Sequence, residues 1–502
     1  MPCTGLFYHK TLGEVRKSLL FFLFCSARLD CFKKMFLDPL LCGNIPPMHE
    51  QDTICAVSTA PGQGGIGIIR VSGTDAVEIS SHVFRSRNGR DLDSAMTHTI
   101  HYGHIVDAAG EIIDEALVSI MRAPATYTRE DVVEINCHGG MMPLWRTVAR
   151  LVASGARQAE PGEFTKRAFL NGRIDLAQAE AVMDIISAKT ELAHRSANEQ
   201  LLGGLSTEVT SLRDRLIGII ASVEAGIDFP EEDIETQSGG PLTREIAALV
   251  GDVALLQSSF AVGRILREGF ATAIVGKPNV GKSSLLNALL KQDRAIVTDI
   301  PGTTRDIIEE FLNIDGVPIR ILDTAGIRHS HDVVEQEGVR RSHAAIESAD
   351  IVLVVLDSSV PLSDEDQQVL KGVAEKKAVL VLNKSDKTRQ LEPLSVPHKQ
   401  VSLSCKTGEG LSALKSAIAA MARQGMIMPK EHAWAVNQRH VTALNQAKTN
   451  LDKALESASA AQSPEFIVVD LRGALDSLGL IIGATYTDDI LERIFNDFCI
   501  GK

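Results

Sequence analysis

The sequence predicts a multidomain α/β protein. A phosphate-loop domain with a mostly parallel sheet is inserted into a helical bundle, behind a smaller N-terminal α+β domain. Three observations predict this. Gly276-Lys277-Pro278-Asn279-Val280-Gly281-Lys282-Ser283 fits G-x-x-x-x-G-K-[ST] between an apolar, partly β-branched run (270–275) and helical text from 284. Leu212, Leu216, Ile219 and Val223 recur at the spacing of one buried helix face, and helical text returns over 434–456 and from 466 onward. Short apolar runs separated by glycines fill the region after residue 52.

The chain has 502 residues, 51 Lys+Arg against 64 Asp+Glu, and a net charge of −13. That length accommodates several domains with ample core. The acidic balance argues against a protein that coats nucleic acid non-specifically. Eight cysteines without a C-x-x-C pair fit a reducing cytosol rather than a disulfide scaffold. Residues 1–47 differ from the rest: they hold Cys3, Cys25, Cys31 and Cys42 and an apolar run, 19–24, too short to span a bilayer. They read as a disordered leader or an over-extended start, with Met48 the functional one.

Residues 48–168 read as the α+β domain, with strands at 53–57, 66–71, 99–106, 115–121 and 131–137 and a helix at 143–152. Gly62, Gly64 and Gly67 match G-x-G-x-x-G but open a strand, so a dinucleotide site is rejected. Cys137 and His138 are strand neighbours on opposite faces and cannot act as nucleophile and base; a structural cysteine and a turn histidine are the expectation. Arg70 and Glu134 are charges within apolar strands, and residue type alone slightly favours a solvated outer face. Residues 169–268 and 426–502 read as two parts of one helical domain, with an acidic solvated turn at 228–233. Residues 269–425 form the inserted domain, whose ends can lie close together at its surface.

Within that insert, loop amides and the following helix N-terminus surround a β-phosphate, Lys282 neutralises β/γ charge and Ser283 can ligate Mg²⁺. Asn383-Lys384-Ser385-Asp386 follows a buried strand. A buried carboxylate at Asp386 accepts from guanine N1–H and the exocyclic amine, which adenine cannot satisfy. Ser404-Cys405-Lys406 ends a further strand near the guanine O6. Asp323-Thr324-Ala325-Gly326 and Gly302-Thr303-Thr304 supply metal-shell and γ-phosphate contacts. The segment therefore binds GTP, as a Ras-like P-loop G domain. Ile327 stands where Ras-like proteins place a water-orienting glutamine, so another group must hold the water. Arg305 competes as an arginine finger with a monovalent cation held by Asn279.

With Ala60-Pro61-Gly62-Gln63-Gly64-Gly65, Pro161-Gly162-Glu163-Phe164, Asp175-Leu176-Ala177-Gln178-Ala179-Glu180-Ala181 and the terminal Phe498-Cys499-Ile500-Gly501-Lys502, the chain from about residue 52 resembles the tRNA-modification GTPase MnmE (TrmE) family, among the TrmE-Era-EngA-like GTPases. The resemblance implies a folate-binding and dimerising N-terminal domain and a helical domain carrying an inserted G domain. It also implies a heterotetramer of the homodimer with the FAD-binding MnmG (GidA) family protein. That complex installs a carboxymethylaminomethyl-type group at C5 of the wobble uridine of certain tRNAs, from a tetrahydrofolate one-carbon unit. A cytoplasmic protein without membrane contact is expected.

Carried over by residue, GTP would be held by Asn279, Val280, Gly281, Lys282, Ser283 and Ser284, and by Thr298, Asp299, Ile300, Pro301, Gly302, Thr303 and Thr304. Asp323, Thr324, Ala325 and Gly326 join them, as do Asn383, Lys384, Ser385, Asp386, Ser404, Cys405 and Lys406. K⁺ would sit on Asn279, Thr298, Ile300 and Thr303, in place of an arginine finger, and Mg²⁺ on Ser283 and Thr304. Glu335 would position the hydrolytic water. Arg70, Glu134, Arg173 and Lys502 would contact 5-formyltetrahydrofolate or a related tetrahydrofolate, which reverses the outer-face reading of the first two. Arg173 stands where relatives carry lysine. Cys499 would be the thiol at the modification site, against a packed terminal cysteine. The rival readings are a ribosome-assembly or RNA-binding switch of the Era or Der kind, whose KH module or second G domain does not appear, and a stand-alone folate-dependent methyltransferase.

Overall fold

The computed structural model describes residues 52–228, 239–293, 310–322, 344–424 and 437–502. The leader, most of the acidic turn, Thr298–Thr304, Arg305, Asp323–Gly326, Ile327 and Glu335 lie outside them.

The first sheet has seven strands: β1 Ile54–Val57, β2 Gly64–Ser72, β3 Phe84–Ser86, β4 Thr99–Val106, β5 Ile112–Met121, β6 Val132–Gly139 and β7 Arg157–Gln158. Their order is β3-β4-β5-β6-β2-β1-β7, antiparallel except for the short parallel β1–β7 pair. Antiparallel sheets can leave one face open, and these strands alternate accordingly. Cys55, Ile69, Val71, Ile105, Val118, Val133, Ile135 and Cys137 turn into a core shared with α1 (Ala76–Ser81) and α2 (Met141–Ala153). The opposite face carries Arg70, Glu134 and Asn136 among exposed apolar side chains.

Helices α3 (Glu163–Leu170), α4 (Leu176–Ser187), α5 (Glu191–Leu201), α6 (Gly204–Asp228), α7 (Gly240–Ser258) and α8 (Phe260–Glu268) follow. Asp175 and Gln178 close a reciprocal capping box on α4, satisfying orphan amides of its first turn. Leu212, Leu216, Ile219 and Val223 are all buried on α6, as their spacing requires. Among the described residues one stretch, Gly240–Glu268, is long and apolar enough to cross a membrane. Here it is α7 and α8, and Leu242, Ile246, Leu249 and Val253 pack into the helical core.

The second sheet comprises β8 Phe270–Val275, β9 Glu310–Ile314, β10 Val317–Leu322, β11 Ile351–Asp357, β12 Ala378–Asn383 and β13 Lys399–Ser402. Its order is β13-β12-β11-β8-β10-β9, parallel except for the β9–β10 hairpin. Strands β8 and β12 are buried at every position, as expected where helices cover both faces. These helices include α9 (Lys282–Asp293), α10 (Asp364–Gly372) and α11 (Leu411–Gln424).

The chain closes with α12 (Gln438–Ser459), α13 (Pro464–Ile482) and α14 (Asp488–Phe495). Leu444, Leu451, Leu471 and Leu478 of α12 and α13 share one core with α6 and α7, so helices from before and after the parallel sheet form a single bundle. The last residues then return to the first sheet. Phe495 and Phe498 pack on Ala168 and Phe169 of α3, and Ile500 bridges Pro161.

Candidate functional site

Two constellations stand out. The first lies where β8, β11 and β12 end. Strand β8 turns at Gly276 into the phosphate loop, and α9 starts at Lys282. Gly281 has φ +104, and a Cβ there would lie 2.2 Å from Asn383 Nδ2, so both backbone and packing demand glycine. Asn383 is the crosspiece. Its Nδ2 donates to Val280 O at 2.7 Å and its Oδ1 accepts from Cys405 N at 3.2 Å, joining the phosphate loop to both base loops. Lys384 Nζ donates to Asn279 O at 3.0 Å and pairs with Asp357 Oδ2 at 2.6 Å. Burial pushes the Asp357 carboxyl up, but the bonds from Lys384 and Ser359 outweigh it and hold it below its usual range.

Lys282 Nζ donates to Gly276 O (2.7 Å) and Lys277 O (3.0 Å), arching over the loop, and burial lowers its pKa. Lys277 is drawn the other way, to Asp366 at 2.6 Å and Ser363 at 3.0 Å on the α10 cap. The loop conformation is thus fixed through carbonyls and side chains, an arrangement suited to presenting amides to a polyphosphate. Asp386 departs from expectation: its carboxylate is exposed rather than buried, because it sits in the loop beyond the end of β12. Ser404 Oγ donates to it at 2.6 Å and lowers its pKa, so the group is oriented and charged. Ser404 Oγ also accepts from the amides of Lys406 and Thr407, and Ser385 N donates to Leu403 O, knitting the two base loops together. Ser283 opens α9 beside Lys282, and Ser284 is exposed on its first turn.

The second constellation is on the open face of the antiparallel sheet. Arg70 and Glu134 are directly opposite residues of β2 and β6, and Arg70 Nη2 lies 2.8 Å from Glu134 Oε1. Their side chains are only 19% and 25% exposed, so the freely solvated reading does not hold. The Arg70 guanidinium lies 5.4 Å from the Tyr127 ring centroid and 5.7 Å from that of Phe164. Arg173, though outside the sheet, lies 4.7 Å from the same Tyr127 ring. One aromatic ring thus serves two cations, a contact worth roughly 0.5–2 kcal/mol each. The C-terminus is stitched alongside: Phe164 N donates to Lys502 O at 3.2 Å, Gly162 N to Cys499 O at 3.4 Å and Ser58 Oγ to Gly501 O at 3.1 Å. Gly501, at φ +93, would set a Cβ 2.3 Å from Val57 O. Arg70, Glu134, Arg173 and the terminal residues, distant in sequence, therefore meet at one place. Cys499 is exposed with a free thiol, not packed.

Cys137 and His138 separate as expected. Cys137 is buried, which pushes its thiol up to about 11. His138 is exposed, not in a turn but within β6, and its bond with Asp114 at 2.7 Å raises its pKa.

A family model described as the MnmE helical domain matches residues 176–499, and one described as GTP-binding protein TrmE N-terminus matches residues 53–173. The tRNA modification GTPase MnmE of Thermoanaerobacter pseudethanolicus is 48% identical over 457 residues, covering 90% of this chain and 99% of that protein. Those of Geobacillus kaustophilus (47%, 462 residues) and Clostridioides difficile (46%, 460 residues) cover 91% of this chain and all of their own length.

The chain belongs to the MnmE family of tRNA modification GTPases.

As an MnmE-family chain it is a GTP-hydrolysing enzyme of tRNA modification, and GTP with Mg²⁺ fits the first constellation. Sequence reasoning missed three of this MnmE chain's residues. Asp357 gives no signal beyond a carboxylate ending a buried strand. Tyr127 lies in a loop and is tied to Arg70 and Arg173 only in three dimensions. Glu163 sits in a quoted motif, yet its role is legible only from its partners, Arg157 at 2.6 Å and Arg167 at 3.0 Å. Burial alone would raise this carboxyl; the two arginines outweigh it and hold it low.

Proposed function

We propose that this chain is a potassium-activated GTPase that, with an FAD-dependent MnmG-family partner, builds a carboxymethylaminomethyl-type group at C5 of the wobble uridine of certain tRNAs, from a tetrahydrofolate one-carbon unit. The observation that carries this reading is the meeting of Arg70, Glu134, Arg173 and Tyr127 with the terminal Cys499–Lys502 segment. A carboxylate, two guanidiniums and an aromatic wall suit a flat, hydrogen-bonding heterocycle with an anionic tail, which describes a tetrahydrofolate. Glu134 would accept from the ring edge, while Arg173 and Lys502 would neutralise the tail. Cys499, exposed beside them, would face the uridine.

At the nucleotide, the loop amides and Lys282 would bind the phosphates, and Asp386 with the Ser404–Lys406 loop would select guanine. Mg²⁺, held by Ser283 and Thr304, would supply charge neutralisation between the phosphates. Asn279, fixed at φ +64 with its carbonyl bonded to Lys384, would hold K⁺ with Thr298, Ile300 and Thr303, and Glu335 would orient water. Dimerisation is proposed across the open sheet face, where Ile66 (64%), Ile100 (69%) and Leu117 (45%) are exposed around Arg70–Glu134. A cytoplasmic site follows from the tRNA substrate.

Nucleoside analysis of tRNA from cells lacking this gene tests the reading. Loss of the C5 modification, restored by the wild-type gene but not by Arg70→Ala, is expected; unchanged uridine chemistry would overturn it. GTP turnover should fall strongly when K⁺ is replaced by Na⁺.

A further inference from the structure

Helix α4 carries two buried carboxylates one turn apart, in opposite circumstances. Glu180 is gripped by α12: Arg439 lies 2.9 and 2.8 Å from its two oxygens, and His440 Nε2 lies 2.8 Å from Oε2. Burial pushes this carboxyl up, but the Arg439 guanidinium and the His440 ring outweigh it and hold it charged, far below its usual range. Asp184 faces α8 instead. Its side chain is 5% exposed, and Arg267 Nε stands 2.8 Å from Oδ1. No hydrogen-bond donor among the described residues reaches either oxygen with good geometry. Burial, with Arg267 only partly opposing it, pushes this carboxyl up to about 6.

The helices these groups join lead to both candidate sites. Arg173 of the sheet-face site precedes the Asp175 cap of α4, which then runs about 18 Å to its far end. Arg267 lies in the last turn of α8, which passes through Gly269 into β8 and the phosphate loop. One turn earlier, Arg264 Nη2 holds Asp350 Oδ1 at 2.8 Å. Asp350 Oδ2 accepts from Ala271 N at 2.9 Å, binding α8 to the starts of β8 and β11. Among the described residues Asp184–Arg267 is the one side-chain ion pair between α4 and α8, and it has a solvated end. Asp184 can take a proton, and Arg267, 36% exposed, can rehydrate, whereas Glu180 cannot leave its cage.

We propose that the Asp184–Arg267 ion pair is a positioning contact that couples the GTP cycle at the phosphate loop to the site around Arg173, so that hydrolysis is spent on tRNA modification. This rests on the function proposed above. Coupling of this kind needs a contact whose two states both sites bias, and the pair is built to be made and broken.

The test uses the full-length protein. With Asp184→Asn and, separately, Arg267→Gln, GTP turnover should stay within about twofold of wild type. The modified nucleoside in tRNA from cells carrying only the variant should fall at least fivefold. Asp184→Glu should restore it in part, and the double variant should be no worse than either single one. Melting temperatures are measured alongside, and Arg267→Gln, at the solvated end of the pair, carries the test if Asp184→Asn does not fold. Wild-type modification in both variants, additive losses, or parallel loss of turnover and modification with unchanged melting would each overturn the proposal. Unchanged uridine chemistry in cells lacking the gene altogether would instead refute the underlying function.

Discussion

The two sheets place polar chemistry in different ways. In the parallel sheet β8 and β12 are buried along their whole length, so polar chemistry is left to their ends. Function is pushed to the strand ends, where Gly276–Ser283, Asn383–Asp386 and Ser404–Lys406 are held by one another's backbone groups. In the antiparallel sheet one face is open, so Arg70 and Glu134 can sit mid-strand and work across it. A site at strand ends is a matter of loop geometry, while a site on a face is a matter of which charges meet. Hence the first should fail by losing preorganisation, and the second by losing a partner.

The sharpest break is Lys282→Ala. It removes the charge proposed to neutralise the β/γ-phosphates and should cut GTP turnover by about 10²–10³, read by phosphate release. The tetrahydrofolate binding proposed for the sheet face should be untouched, and a matching loss there would mean that the two constellations are one site.

Asn383→Ala removes no charge but deletes the crosspiece, leaving the Val280 carbonyl and the Cys405 amide without their partner. At roughly 1–3 kcal/mol for such a group, GTP affinity in a titration should fall about 10–100-fold. Full affinity would mean that the loops hold themselves.

Arg70→Ala leaves Glu134 without its cation and exposes one side of Tyr127. Tetrahydrofolate affinity measured by calorimetry should drop about tenfold while GTP turnover stays constant; Arg70→Lys, lacking the planar fork, should recover it only partly.

The smallest effect lies between the regions. Because the Asp184 carboxyl is raised to about 6 from 3.8, its stability contribution is present below pH 3.8 and lost as pH rises through about 6. Asp184→Asn should flatten that slope, read as melting temperature against pH between about 4 and 8. A variant that melts like wild type at pH 8 and nevertheless modifies tRNA poorly would separate coupling from folding.

The nucleotide site was readable because its rules are local. Phosphate-loop spacing, a buried strand before Asn383 and the helix start at Lys282 all lie within a few residues of one another, and backbone geometry ties them together. What local reading could not deliver was environment. Asp386 read as buried and is exposed, since burial depends on what the rest of the chain brings near. For Arg70 and Glu134, alternation placed each on a face but could not say that the two are opposite one another.

By itself, then, the sequence determined the phosphate-loop motif, the loops that follow β12 and β13, the alternation of the first sheet and the buried stripe of α6, because period and spacing act over one or two turns of chain. Only the tertiary structure decided that Arg70 meets Glu134, that Tyr127 lies against both Arg70 and Arg173, that the last five residues close on Ser58 and Phe164, and that Glu180 is caged while Asp184 is not. Those outcomes depend on contacts between residues far apart in sequence, whose energies are set by solvent exclusion and by the charges that folding happens to gather.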